Sequence, residues 1–103
     1  MDVLSMESYQ QTSAITVRAL LFTTPLCGTC QLAKEMVRLC LESLPKKLPT
    51  YECRVTEWQP YVQKWKIQSV PCLVFEKNGQ VLEMIYAIES VSNLFALYKK
   101  YIN

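Results

Sequence analysis

Two cysteines separated by two residues, Cys27-Gly28-Thr29-Cys30, are the side chains of this sequence best suited to covalent chemistry. An apolar, β-branched run over residues 14–22 ends just before them. A stretch with helical periodicity begins inside the motif, carried by Leu32, Ala33, Met36, Val37, Cys40, Leu41 and Leu44. Two thiols at this spacing in the first turn of a helix sit close enough to form a disulfide, and the helix N-terminus favours the thiolate of the first. The pattern predicts thiol–disulfide chemistry; the plainer reading is a pair of inert thiols at a helix start.

Size and composition narrow the rest. The chain has 103 residues, enough for one domain with its own core, and a single domain over 1–103 is expected, with 1–13 as a short arm or helix. Half the residues are apolar and 19% are charged, an ordinary globular balance. A net charge of +2 is too small to imply nucleic acid or an anionic membrane as partner, and neither is expected. The absence of histidine removes Cys–His nucleophiles and histidine-containing zinc sites. The apolar run at 14–22 contains Arg18 and falls well short of the roughly 20 residues needed to cross a bilayer. Residues 1–13 are polar and acidic, unlike a secretory leader. An odd number of cysteines, five, suits a reducing compartment, so the cytoplasm is expected.

The elements that must position the pair follow from periodicity and turn chemistry. Residues 14–23 read as a buried strand and 28–43 as a helix stopped by Pro45 and Pro49. Residues 50–56 alternate and read as a strand, and Trp58 to Trp65 as a short helix with Pro60 in its first turn. Residues 72–75 and 81–86 read as strands joined through the Asn78-Gly79 turn, and 90–101 as an amphipathic closing helix. This order implies an α/β fold: a mixed sheet with helices on both faces, its first two strands parallel and the hairpin antiparallel.

A Cys-x-x-Cys between a strand and a helix in a βαβ pattern reads as a thioredoxin-like redox motif. Val70-Pro71, directly before a buried strand, and the Lys77-Asn78-Gly79 hairpin carry the resemblance further. Over residues 14–103 the chain resembles the thioredoxin family. That resemblance implies the thioredoxin fold, a cis Pro71 packed against the disulfide, and a Val70 backbone that pairs with an extended substrate. It also implies protein disulfides as substrates and a flavin- and NADPH-dependent thioredoxin reductase as electron donor, with no cofactor bound to the chain. The sequence departs from the family's pattern in several places. The tryptophan before the first cysteine is Leu26, the motif proline is Thr29, and the glycine after the hairpin is Ala87. The buried aspartate is Leu21 and its lysine partner on the next strand is Glu52. The arm before residue 14 is short, so the family's first strand is expected to be absent, leaving four strands with 50–56 at an edge.

In this reading Cys27 is the nucleophile and Cys30 resolves the mixed disulfide. Gly28 allows a tight turn and close approach of a partner backbone. The NH and hydroxyl of Thr29 favour the Cys27 thiolate, which predicts a reduction potential above the reducing end of a range of roughly −270 to −120 mV. Pro25, Leu26, Val70 and Ala87 form an apolar rim for a partner protein. Glu52 is either a base for Cys30 or a solvated glutamate beside Arg54. Cys72 is either a third redox-linked thiol or a space-filling side chain. Cys40 and Cys53 read as buried small hydrophobes, and Trp58, Tyr61 and Trp65 as packing. Two other functions compete with the enzyme: a module holding zinc or an iron–sulfur cluster through Cys27 and Cys30, which needs a second subunit to complete the ligands, and a redox-silent interaction protein.

Overall fold

The computed structural model describes residues 1–12 and 16–102. Strands β1 (Asp2–Val3), β2 (Arg18–Thr23), β3 (Thr50–Arg54), β4 (Cys72–Lys77) and β5 (Gln80–Ile85) form one mixed sheet in the order β1-β3-β2-β4-β5. β1 and β2 run parallel to β3, whereas β4 is antiparallel to β2 and β5. Helices α2 (Gly28–Ser43) and α4 (Val91–Lys99) cover one face, and α1 (Met6–Gln11) and α3 (Gln59–Lys64) the other.

Two expectations about the sheet are corrected. A first strand exists, and β3 is therefore internal. β1 is only two exposed residues, too short to show periodicity, and it is held by pairing with Tyr51 and Glu52 and by the Leu4 N–H donating to the Glu52 carbonyl at 2.8 Å. Element bounds shift elsewhere. β2 begins at Arg18, and the expected start at 14–15 lies outside the described residues. β3 ends at Arg54 and passes into a 3-10 turn over Val55–Glu57. β4 runs two residues beyond the expected Phe75, to Lys77.

Local chemistry explains the boundaries. Ser5 and Ser90 cap α1 and α4 by accepting from Ser8 N–H and Asn93 N–H, each at 3.1 Å. α3 closes in a Schellman turn: Lys66 takes φ +57°, Ile67 N–H donates to Val62 and Lys66 N–H to Gln63. Asn78 and Gly79 at φ +52° and +84° make the two-residue turn whose twist matches a hairpin.

The sheet separates two cores. Ala19, Leu21, Leu73 and Phe75 meet α2 and α4 through Ala33, Val37, Cys40, Leu94 and Tyr98. On the other face Leu20, Phe22, Cys53, Cys72 and Val74 meet Tyr9 and Trp58. Tyr9, Phe22, Trp58, Tyr61 and Trp65 form an aromatic cluster with mostly edge-on or tilted rings, and the Trp58 indole N–H donates to the Leu4 carbonyl at 3.0 Å. At the end of the sheet away from the cysteine motif, Glu76 is wholly buried. Its carboxylate accepts from Arg18 Nε at 3.1 Å, from Tyr9 Oη, and from the Gly79 N–H.

Candidate active site

β2 delivers the chain to the site with all six of its residues buried. Between Thr23 and α2 the backbone must reverse from extended to helical, and Leu26 makes the turn in the left-handed region at φ +58°. Its side chain is fully exposed (105%), beside the exposed Pro25. Cys27 is the residue that caps α2: its backbone is extended, and its sulfur accepts the Cys30 N–H at 3.1 Å. Thr29 Oγ1 lies 3.3 Å from the same sulfur. The tight turn does not require Gly28, contrary to expectation. Its φ is not left-handed, and a Cβ there would meet nothing within 4 Å. Leu26 carries the unusual dihedral, and the glycine leaves open space above the helix start.

The two thiols are free and differ sharply in setting. Cys27 is half-buried, and hydrogen bonds from the Cys30 thiol and the Thr29 hydroxyl hold its pKa below the ordinary thiol range. Cys30 is fully buried; burial first, and its hydrogen bond to Cys27 second, push its pKa up. The main chain of Thr24 also hydrogen-bonds to the Cys30 thiol, opposing that rise.

The remaining candidates fall in two groups. Val70-Pro71, joined by a cis peptide, leads into β4, where Cys72 pairs with Phe22 at the active end of β2. Val70 and Thr24 share a shallow pocket of about 200 Å³ with Val55, Val62 and Ile67. Continuing the Leu73–Ile85 register past the end of β5 brings the exposed Ala87 level with Pro71. Cys72, however, belongs to the core under α1 and α3 and is fully buried, and burial pushes its thiol up to about 12. Cys40 and Cys53 are likewise buried and raised. Glu52 pairs with Leu21 across the sheet but is neither at an edge nor solvated. It is 9% exposed, accepts from Thr23 Oγ1 at 2.7 Å and lies 3.6 Å from Lys34 Nζ. Sequence reasoning passed over Thr23 and Lys34, although Lys34 follows Cys30 by one helical turn and so shares its face. Among the described residues no three Cys, Asp or Glu side chains gather as a metal site.

A strand–Cys-x-x-Cys–helix unit beside a cis-proline strand matches a known pattern throughout its length. The family model described as Thioredoxin matches residues 3–100. The chain belongs to the thioredoxin family. It is 40% identical to the thioredoxin-like protein YusE of Bacillus subtilis (strain 168) over 77 residues, which is 75% of this chain and 72% of that one. It is 27% identical to the M-type chloroplastic thioredoxin of Spinacia oleracea over 80% of this chain and 45% of the relative. Among solved structures, a mutant thioredoxin from Halobacterium salinarum NRC-1 superposes with a TM-score of 0.81 at 20% identity, covering 100% of this chain and 90% of that one. Malassezia sympodialis thioredoxin gives 0.82 at 25% identity, covering 98% and 90%. Membership in this family makes the chain a thiol–disulfide oxidoreductase in general. No helix among the described residues is long and apolar enough to cross a membrane.

Thr29 meets the Cys27 sulfur through its hydroxyl. A hydrogen bond to the thiolate stabilises the reduced form and raises the potential. Thr29→Val keeps the shape and removes the hydroxyl. Iodoacetamide alkylation of Cys27 should then need a higher pH, because the thiolate persists to lower pH only while its hydrogen bonds last. The potential measured against glutathione should fall, by about 30 mV for a tenfold change in the equilibrium. An unchanged titration and potential in Thr29→Val would show that the hydroxyl contributes nothing.

Proposed function

We propose that this chain reduces disulfide bonds in partner proteins, with Cys27 as the attacking thiolate and Cys30 as the resolving thiol. The observation that carries this reading is the asymmetry of the pair. The half-buried sulfur is the one whose thiolate is stabilised, by Cys30 and Thr29, and the wholly buried sulfur is the one whose thiol is raised. Cys27 attacks the partner's disulfide, one partner sulfur leaves as thiolate, and a mixed disulfide remains. Cys30 then loses its proton and attacks the Cys27 sulfur. The second partner thiolate departs, and the chain is left with a Cys27–Cys30 disulfide.

The exposed surface around Cys27 suits an uncharged stretch of polypeptide. Pro25, Leu26 and Ala87 stand out from the protein, Val70 edges the pocket beside Thr24, and Gly28 adds no side chain above the sulfur. In the proposed complex the partner strand pairs with the Val70 backbone next to Pro71. The cycle closes in the cytoplasm with a flavin- and NADPH-dependent thioredoxin reductase as donor, as in the family.

The test has two parts. The native chain should reduce insulin disulfides with dithiothreitol as donor. Cys30→Ser, which keeps Cys27 but cannot resolve, should accumulate mixed disulfides with partner proteins that dissociate on adding reductant. Native protein without insulin reductase activity, together with a Cys30→Ser variant that traps nothing, would overturn the reading.

A further inference from the structure

The resolving step requires Cys30 to lose a proton from a position with no solvent exposure, where burial and the neighbouring sulfur both hold the proton on. Two carboxylates among the described residues are buried, Glu52 and Glu76. Glu76 serves Arg18 and Tyr9 at the far end of β2, five residues from Thr23 and so about 16 Å away along the strand. Glu52 is at the active end. It lies on the α2 side of the sheet, because its register partner Leu21 packs there and because Lys34 of α2 reaches it. Lys34 stands one turn beyond Cys30 on the same helical face. Thr23 Oγ1 donates to Glu52 Oε2, and the next residue, Thr24, hydrogen-bonds to the Cys30 thiol through its main chain.

We infer that Glu52, held by Lys34 and Thr23, receives the proton that Cys30 gives up when it attacks the mixed disulfide. This inference rests on the proposed dithiol mechanism. Glu52 is the general base of this step, and Thr23 and Lys34 are the residues that position it. The balance is simple: the Cys30 S–H breaks, its proton passes to the Glu52 carboxylate, and the Cys30 electron pair forms the bond to Cys27. The Cys27–partner bond breaks, and the partner thiolate carries away the pair. The proton then leaves to solvent past Lys34, whose side chain is 29% exposed. Among the described residues, these groups meet Glu52. Lys34 faces it from α2; from β2 come only the uncharged Leu21 and Thr23. β1 meets it through main chain, and Cys53 beside it points into the opposite core.

The aromatic disulfide dithionitrobenzoate separates the two steps in one stopped-flow trace, since attack by Cys27 and resolution by Cys30 each release one coloured thiolate. Glu52→Gln keeps the shape and the acceptor for Thr23 but binds a proton poorly. Its first release should match the native rate, and its second should slow by about 100-fold, at the low end of general-base effects. The second phase should also shift its pH profile upward, and Glu52→Asp should recover part of the rate. Thr23→Val should slow the second release alone, and this arm decides the matter if Glu52→Gln does not fold. A native-like second phase in Glu52→Gln, or equal slowing of both phases, would overturn the role of Glu52. A native chain that gives no second release would instead overturn the dithiol mechanism on which it rests.

Discussion

Cys27→Ser is expected to abolish insulin reduction completely while leaving the fold and melting midpoint unchanged. The loss follows because a serine hydroxyl does not ionise near neutral pH and cannot exchange with a disulfide, whereas the Cys27 sulfur is held as thiolate by Cys30 and Thr29. The fold should survive because the cysteine's structural task is to cap α2 by accepting the Cys30 N–H at 3.1 Å. Serine is among the best residues for that position. The two effects are read separately, by turbidity of insulin and by thermal circular dichroism. Residual turnover in the variant would mean that another thiol attacks. Besides Cys30, the other three thiols are poor candidates, since Cys40, Cys53 and Cys72 are fully buried and their thiols raised. Native protein treated with iodoacetamide near neutral pH should accordingly take label at Cys27 first, and at these three only after unfolding.

The second large effect concerns stability. Glu76→Ala should cost about 3–5 kcal/mol, the usual consequence of removing one partner from a buried ion pair. Three donors lose their acceptor together: the Arg18 guanidinium, the Tyr9 hydroxyl and the Gly79 N–H. Arg18 is only 6% exposed and lies 4.4 Å over the Tyr9 ring, so water reaches it poorly. Its burial alone would lower its pKa, and the Glu76 carboxylate more than offsets that. Tyr9 is raised, first by burial and then by Glu76, so its phenol stays protonated and donating across the neutral range. Urea unfolding followed by tryptophan fluorescence measures the cost, which is a large part of the 5–15 kcal/mol typical of a domain. The double variant Arg18→Met, Glu76→Leu should recover most of the loss, because apolar residues of similar volume replace buried pairs at little cost. A single-variant cost below about 1 kcal/mol would show that water solvates the pair.

The neighbourhood of Glu76 also shows where sequence reading stops. Its position beside Lys77, Asn78 and Gly79 resembled turn composition, so the strand was expected to end at Phe75. The ladder continues because Arg18, a charge set in an otherwise apolar strand, needs a partner, and the antiparallel register places Glu76 opposite it. An arginine in a buried run was a readable signal that a carboxylate must come from elsewhere; which one was not readable. The same holds for Glu52. Alternation in 50–56 announces a strand but leaves Glu52 open between a base for Cys30 and a solvated side chain, because neither the two-residue β1 nor the contact with the α2 lysine shows in the local pattern. Leu26 likewise gave no local sign that it, rather than Gly28, would take the left-handed turn.

What was legible from residues alone were features whose causes are local. A 3.6-residue period over 28–43, the Asn78-Gly79 turn and the cysteines at a strand–helix junction each follow from interactions a few residues long. They were enough to place the redox pair at a helix start and to suggest the family. The tertiary structure decided what depends on strands distant in sequence coming into register. It buried Cys30 while leaving Cys27 half-exposed, turned Cys72 into the opposite core, and set Glu52 beneath the active helix rather than in solvent, deciding between the two readings of that residue. Burial and register are set by every strand at once, so no stretch of this sequence could encode them by itself.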